Sequence, residues 1–344
     1  MNNGIQNILV VRTDRIGDVV LTTPALALLR RAYPAAKISL LVSPLTKDLV
    51  EGNPDIDEVL VDERKRLYRG VGFLRLVSDL RRRKFDLAVI YHTKKRTNVL
   101  CFMAGIPRRI GYKNNKFGFL LTHPVSDERH QGLKHEAQYC VDLLKTLGVE
   151  GEIPPAKVSL LPEAQYWAAQ KLQKIPAGSH LIAVHLGASD NSKCWPIEHF
   201  AGLMAELQQK YNPEFVLLGA QNTVEKAQAL QKRLSFPVLD LTGQTSVAEL
   251  CAVLNCCRML ISNDSGPVHI ADALQLFVVS IFTRNQPGIN PERWRPLNPK
   301  NRAVFPAPGG SISFADPRRV NPVDMNFLPV KAVFESVDSL YKLC

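Results

Sequence analysis

Short apolar runs alternate with longer amphipathic segments along the first half of the chain, and this alternation predicts its fold class. Apolar runs with the length of buried strands predict strands at 7–12, 37–42, 58–61 and 86–91. The segments between them predict helices at 24–33, 45–51, 67–84 and 96–104. Because helices separate the strands, we expect a parallel sheet that is covered by helices on both faces.

The second half repeats this alternation after a Gly- and Pro-rich stretch at 148–162. Its apolar runs predict strands at 181–185, 215–218, 238–241, 258–262 and 277–282. Helices are expected at 198–211, 224–234, 246–254, 268–274 and 330–342. A chain of 344 residues is long for a single core. We therefore predict an α/β protein with domains at 1–165 and 166–329, and a C-terminal helix within 330–344 that packs back on the first domain.

Small and polar residues follow each predicted strand of the second half. Ligands of parallel α/β sheets bind at the carboxyl ends of the strands, so these positions should line one edge. One Gly after a strand is ordinary turn chemistry, but its recurrence at successive strand ends indicates a nucleotide site. Neither GxGxxG nor GxxxxGK[ST] occurs in the chain, which disfavours dinucleotide redox chemistry and P-loop hydrolysis.

The segment 263–269 has the sequence NDSGPVH and joins a predicted strand to a predicted helix. Ser265 suits the N-cap of that helix, and the free backbone N–H groups after Gly266 suit a phosphate. Asp264 adds an acceptor, and His269 adds a titratable donor. The alternative is a well-capped helix with a histidine satisfied by its neighbours.

Asp18 follows a Gly in the loop after the first predicted strand. An Asp at the start of a helix most often caps that helix. At the carboxyl edge of the first sheet it could equally be a general base facing a cleft between the domains. Both interpretations stay open from the local pattern alone.

The loop at 187–196 offers further donor-site residues. Lys193 provides a point charge for a diphosphate, and Ser189 provides a hydroxyl. Trp195 and the proline after it are interpreted as a structural corner that begins the next helix. Glu225 could bind a ribose hydroxyl, and a solvated surface Glu is the equal alternative.

The net charge of +11 indicates an anionic partner. Basic runs are concentrated in the first half, and we assign acceptor phosphate binding to Arg64, Lys65, Arg66 and Arg109, although a solvated helix face would show the same pattern. The absence of any nucleic-acid-binding motif disfavours nucleic acid. No apolar run is long enough to span a membrane and no signal peptide is apparent, so a cytoplasmic protein is expected. The seven cysteines lack zinc-type spacing, and no metal or cofactor is predicted.

Four segments carry a resemblance to glycosyltransferase family 9, the heptosyltransferases of the lipopolysaccharide inner core. They are ILVVRTDRIGDVVLTTPAL, AGIPRRIGY, HLGASDNSKCWP and NDSGPVHIADAL, at 8–26, 104–112, 185–196 and 263–274. The opening segment is more similar to heptosyltransferases II and III than to type I. The resemblance implies a GT-B fold, with two Rossmann-like domains and an interdomain cleft. It also implies an N-terminal acceptor domain and a C-terminal nucleotide-sugar domain.

Within this resemblance, Asp18 is the presumed base, and Lys193 contacts the diphosphate. The segment of Asp264, Ser265 and Gly266 holds the sugar and phosphates. We therefore expect a metal-independent, inverting transfer of heptose from ADP-heptose to a lipid-linked core oligosaccharide, peripherally at the inner membrane surface. A nucleotide-sugar epimerase and a non-catalytic module that binds anionic glycolipid are the two alternatives.

Overall fold

The computed structural model describes residues 4–63, 71–176, 178–190, 194–282, 285–305 and 328–343. It divides the chain into two compact units, each with its own parallel sheet. The first unit comprises 1–130 and 136–159, and the second comprises 131–135 and 160–344. The predicted boundary after residue 165 falls inside a helix at Pro162–Lys171.

The first unit contains a parallel sheet in the order β3-β2-β1-β4-β5-β6. Its strands in the described residues are β1 Asn7–Val11, β2 Lys37–Val42, β3 Glu58–Val61, β4 Leu87–Ile90, β5 Arg108–Tyr112 and β6 His123–Val125. Its helices are α1 Ile16–Val20, α2 Thr23–Ala32, α3 Val71–Arg82, α4 Lys95–Met103 and α5 Glu136–Leu144. The central strands β1 and β4 are fully apolar after their first residue, as burial on both faces requires.

The second unit repeats this topology. Its strands are β7 Leu181–His185, β8 Glu214–Leu218, β9 Leu239–Asp240, β10 Met259–Asn263, β11 Phe277–Ile281 and β12 Arg302–Val304. They form a parallel sheet in the order β12-β11-β10-β7-β8-β9. The helices are α6 Pro162–Lys171, α7 Ile197–Tyr211, α8 Val224–Gln231, α9 Val247–Asn255, α10 Gly266–Ala273, α11 Pro291–Trp294 and α12 Val330–Tyr341.

The strands and helices predicted from the alternation are confirmed to within a few residues, with one exception. The helix expected at 45–51 is only the short 3-10 turn Pro44–Thr46, followed by non-helical turns. The start of the helix expected at 67–84 lies partly outside the described residues, which resume at Val71. The structure also contains elements that the alternation did not predict, namely strands β5, β6 and β12 and helices α1, α5, α6 and α11. These elements are mostly short, and short elements carry weak periodicity.

The C-terminal helix α12 packs within the second unit. It contacts α7 and strands β11 and β12, all in the second unit. Val333, Val337 and Leu340 are fully buried in the core of that unit. The amphipathic stripe therefore finds its apolar partner on the sheet that immediately precedes it in the chain. The observed packing of this helix lies within the second unit, and its expected packing on the first domain stays a prediction.

Among the described residues, no helix combines the length and the apolar character that crossing a bilayer requires.

Candidate active site

The first sheet has a switch point between β1 and β4, where the strand order reverses. In doubly wound α/β sheets, ligands bind in the crevice beyond the carboxyl ends of such strands. Arg12 and Thr13 follow β1 directly, and His92 lies two residues beyond β4. The Oγ1 atom of Thr13 lies 3.0 Å from Nδ1 of His92, so the two strand ends are joined by side chains at this point.

Arg12 organises a cluster of three carboxylates at this edge. Its side chain is 1% exposed, and its Nη2 donates to Oδ1 of Asp18 at 2.5 Å and to Oε1 of Glu136 at 2.9 Å. Its Nε lies 3.0 Å from Oδ1 of Asp14. A single buried guanidinium therefore faces three acidic groups, and it cannot neutralise all of them. In the described part of the chain, no group of three or more His, Cys, Asp or Glu could hold a metal ion.

The side chain of Asp18 is 16% exposed, whereas that of Glu136 is buried. Burial first, and then the nearby carboxylates of Asp14 and Glu136, raise the pKa of Asp18 to about 6 against the lowering effect of Arg12. A carboxyl group with a pKa near the working pH of a cell suits proton abstraction.

The capping interpretation of Asp18 is not supported. The N-cap residue of α1 is Arg15, and Asp18 is the third residue inside the helix. The side chain of Asp18 accepts its hydrogen bond from Arg12 instead.

The second sheet has its switch point between β7 and β10, and a buried histidine lies there. Nδ1 of His185 is 3.3 Å from the hydroxyl oxygens of both Ser262 and Ser265, which lie 2.9 Å apart. Burial lowers the pKa of His185 to about 4, so its imidazole is neutral at pH 7. The neutral ring fixes the two hydroxyls without placing a positive charge beside them.

Ser265 is the N-cap residue of α10, as predicted, but its hydroxyl makes no capping hydrogen bond. The hydroxyl is held by His185 and Ser262 instead. Pro267 occupies the first turn of this helix. The amide groups at this helix N-terminus have the orientation and partial positive charge that suit an anion.

Asn263 ties down both ends of the loop that follows β7. Its Oδ1 accepts from the backbone N–H of Trp195 at 2.8 Å, and its Nδ2 donates to the carbonyl of Leu186 at 3.0 Å. Trp195 is buried, and its indole N–H donates to the carbonyl of Leu328 at 3.0 Å. The prediction that Trp195 forms a structural corner is confirmed. This anchoring holds the ends of the segment that contains Ser189.

The predicted site residues fall into four groups. Asp264, Ser265 and Gly266 are consecutive at the carboxyl end of β10, beside His185. His269 lies one turn further along α10, is 3% exposed and has its ring 6.4 Å from the ring of Trp294. Exposed side chains are found at Ser189, after β7, and at Glu225, in the first turn of α8. Predicted residues that lie outside the described residues are Lys193, Arg64, Lys65 and Arg66.

Arg109 does not join the acidic cluster. It lies near the amino end of β5, which is the opposite edge of the first sheet from Asp18. Its Nε donates to the carbonyl of Leu120 at 2.7 Å, and its Nη1 donates to the carbonyl of Ile106. These bonds tie loop backbone to the strand, so we withdraw Arg109 from the predicted acceptor site.

Gly219, one of the glycines at the strand ends of the second sheet, is required by local packing. A Cβ on Gly219 would lie 2.1 Å from Oγ1 of Thr223, which is buried and donates to the carbonyl of Ala220 at 2.6 Å. The hydroxyl of Thr223 occupies the space that a side chain would need. This glycine therefore closes the turn after β8, whatever the site binds.

The residues that complete the two sites were not identified as functional from the sequence. Arg12 and His185 stand at strand ends, and a polar residue in that position is a usable signal. Glu136 reaches Arg12 from 124 positions away in the chain, so no local pattern could reveal it.

The chain is similar to known proteins along most of its length. The family model for glycosyltransferase family 9 (heptosyltransferase) matches residues 73–322. The lipopolysaccharide heptosyltransferase 3 of Escherichia coli is 24% identical over 335 residues, covering 94% of this chain and 96% of that protein.

Two solved structures show the same fold. The first is the glycosyl transferase family 9 protein from Veillonella parvula, with a TM-score of 0.90 at 23% identity, covering 100% of this chain and 99% of that one. The second is the E. coli ADP-heptose lps heptosyltransferase II, with a TM-score of 0.80 at 18% identity, covering 98% and 100%.

Proposed function

The chain belongs to glycosyltransferase family 9 and has its fold of two Rossmann-like domains, and from this premise we propose that it transfers heptose from ADP-heptose to the inner core oligosaccharide of lipopolysaccharide. Relatives that align over nearly their whole length are named lipopolysaccharide heptosyltransferases 2 and 3. These names support heptose as the sugar and lipopolysaccharide as the acceptor class, and the name of the structurally similar E. coli ADP-heptose lps heptosyltransferase II supports ADP-heptose as the donor.

Asp18 is the general base of the proposed reaction. An acceptor hydroxyl attacks the anomeric carbon of the donor, and the carboxylate of Asp18 takes the hydroxyl proton as the new C–O bond forms. The bond from the anomeric carbon to the diphosphate breaks, ADP leaves, and the configuration inverts. Arg12 positions Asp18 through their 2.5 Å hydrogen bond, and Glu136 in turn holds Arg12 at 2.9 Å.

The second unit binds the donor. The amides at the start of α10 and the side chain of Lys193 stabilise the negative charge that develops on the leaving diphosphate. Asp264 and the hydroxyl of Ser265 contact the sugar or its phosphates, with the hydroxyl oriented by His185. Further donor contacts are assigned to Ser189, Glu225, Gly266 and His269.

The first unit binds the acceptor, and its basic residues Arg64, Lys65 and Arg66 contact acceptor phosphates. Phosphorylated core oligosaccharide is anionic, and a cationic surface raises its local concentration. The protein acts in the cytoplasm, at the inner face of the membrane in which the acceptor lipid is held. The net charge of +11 supports both assignments.

The observation that carries the proposal is Asp18, a partly exposed carboxyl with a pKa of about 6 at the switch point of the first sheet. An epimerase of the same fold would alter ADP-heptose without an acceptor. We therefore expect incubation with the donor alone to leave its sugar unchanged by NMR spectroscopy, and addition of a truncated core acceptor to release ADP. Sugar isomerisation without acceptor would support the epimerase, and ADP binding without any reaction would support a binding module.

A further inference from the structure

A segment of the first unit carries positive charge without any acidic residue. Between His92 and Val125 the sequence contains seven Lys and Arg residues and no Asp or Glu. This segment comprises α4, β5 and the turn that leads to β6. A segment with cations and no carboxylates has a strongly positive surface potential, unlike a solvated helix face on which charges of both signs alternate.

Most of these cations form no ion pair with a carboxylate in the described residues. Arg96 is the exception in α4, because it donates to both carboxylate oxygens of Asp62 at 3.0 and 2.7 Å. Arg109 is bonded to loop carbonyls, as described above. The remaining five form no ion pair within the described residues, and they are Lys94, Lys95, Arg108, Lys113 and Lys116.

Two large aromatic side chains stand among these cations and are open to solvent. Phe119 is 79% exposed, and Phe102 is 50% exposed. Exposed phenyl rings cost free energy in water, so two within one basic segment call for a partner.

Local contacts join the two rings into one surface. The turn that holds Phe119 contacts α4, which holds Phe102. The side-chain amide of Asn98 in α4 donates to the carbonyl of Lys116 at 3.1 Å. The ammonium of Lys95 lies 4.8 Å from the ring centroid of Phe117, and that ring is 5.4 Å from the ring of Phe119. We call this the α4 surface, and its exposed members are Lys95, Phe102, Lys113, Lys116 and Phe119.

Three carboxylates on neighbouring elements are paired with other cations. Asp127, after β6, lies 2.7 Å from Arg129. Asp62, after β3, is fully buried under Arg96. Asp79 of α3 lies 3.2 Å from Arg83 and 3.4 Å from Arg82. The charge of the α4 surface is therefore directed to solvent.

We propose that the α4 surface docks the first unit on an anionic phospholipid membrane. Cations are drawn to acidic headgroups, and an exposed phenyl ring gains by entering the boundary between headgroups and acyl chains. A soluble polyanion would satisfy the cations but would leave the exposed rings in water. A second copy of this chain would bring like charges together, which disfavours self-association through this surface.

Vesicle co-sedimentation of the full-length protein tests the proposal without using the transfer reaction. The probes are vesicles of phosphatidylcholine alone and of phosphatidylcholine with phosphatidylglycerol. We expect binding to the anionic vesicles that weakens as NaCl is raised. The triple variant Lys95→Gln, Lys113→Gln, Lys116→Gln should bind about 100-fold more weakly, at about fivefold for each cation near an anionic surface.

Phe119→Ser tests the apolar part of the surface and should also weaken vesicle binding. The matched controls lie in the second unit, where Lys171→Gln, Lys232→Gln, Lys300→Gln and Tyr166→Ser remove exposed basic or aromatic side chains. These controls should bind vesicles like the wild type. Circular dichroism of each variant checks that it is folded.

Three results would overturn the proposal. The first is equal binding of the wild type to neutral and anionic vesicles. The second is wild-type binding by folded variants of the α4 surface. The third is release from vesicles by inorganic phosphate but not by chloride at the same ionic strength, which would identify a phosphate site instead. Because these readouts are independent of catalysis, they stand whether or not heptose transfer is confirmed.

Discussion

Replacing Asp18 by Asn should separate the chemical role of this residue from its effect on stability. The carboxyl group has a pKa of about 6 in the folded protein against an ordinary value of 3.8. A difference of about two units corresponds to about 3 kcal/mol between the protonated and ionised forms. Because the folded pKa is raised, the protonated form is the one that the fold favours. The stability that this form contributes is present below pH 3.8 and is lost as the pH rises through 6.

The Asp18→Asn variant escapes this loss, because the amide that replaces the carboxyl group is neutral at every pH. Arg12 would keep Asp14 and Glu136 as partners, so its charge would not be left unpaired. We therefore expect the thermal midpoint of the variant, relative to that of the wild type, to rise between about pH 4 and pH 6 and to keep this gain at higher pH. At roughly 2–4 °C per kcal/mol for a unit of this size, the gain amounts to several degrees.

The same variant should lose transfer activity by about 100-fold or more, the scale expected for removal of a general base. The wild-type kcat/KM should rise with pH through an apparent pKa near 6, and the residual activity of Asp18→Asn should lack that rise. Differential scanning fluorimetry across pH and steady-state kinetics supply the two readouts. Near-normal turnover would place the base elsewhere. A stability difference that does not change with pH would show that the pKa of Asp18 is not raised.

Three further substitutions test other parts of the account. Lys193→Ala should weaken ADP binding by roughly 1.5–3 kcal/mol, the cost of a lost charge-assisted hydrogen bond, and unchanged affinity in calorimetry would contradict the assignment. Glu136→Gln removes a carboxylate that raises the pKa of Asp18, so the acid limb of the pH–rate profile should move below pH 6, and a limb that stays in place would contradict the coupling. Gly219→Ala adds a Cβ 2.1 Å from the hydroxyl of Thr223 and should lower the free energy of unfolding in chemical denaturation by about 1–3 kcal/mol. The control Gly202→Ala has its nearest contact at 3.5 Å and should be tolerated. Equal stability of the two variants would contradict the packing role of Gly219.

Much of the fold could be predicted because the central strands of both sheets are buried on both faces. That burial leaves continuous apolar runs, such as those of β1 and β7, which stand out against polar loops. The edge strand β6 has no such run, since its three residues include an exposed His and a Pro. The packing of α12 could not be predicted either, because an amphipathic stripe shows that a helix packs and not where.

The candidate site could be predicted only where it follows the chain locally. Asp18 and the segment at Ser265 stand beside strand ends, so topology alone brings each to a ligand-binding edge. The raised pKa of Asp18 depends in part on Glu136, which only tertiary structure brings near. The prediction for Arg109 was wrong because its positive charge suggested a bound anion, whereas its guanidinium donates hydrogen bonds to backbone carbonyls of its own unit.

The most direct test of the central claim is mass spectrometry of the acceptor after incubation with ADP-heptose. Truncated core oligosaccharides of defined length serve as acceptors, and the Asp18→Asn variant serves as the matched control. The account predicts a product heavier by one heptose residue with the wild type, formed with one equivalent of ADP, and little or none with the variant. An unmodified acceptor, or ADP release with free heptose as the product, would contradict the proposed transfer.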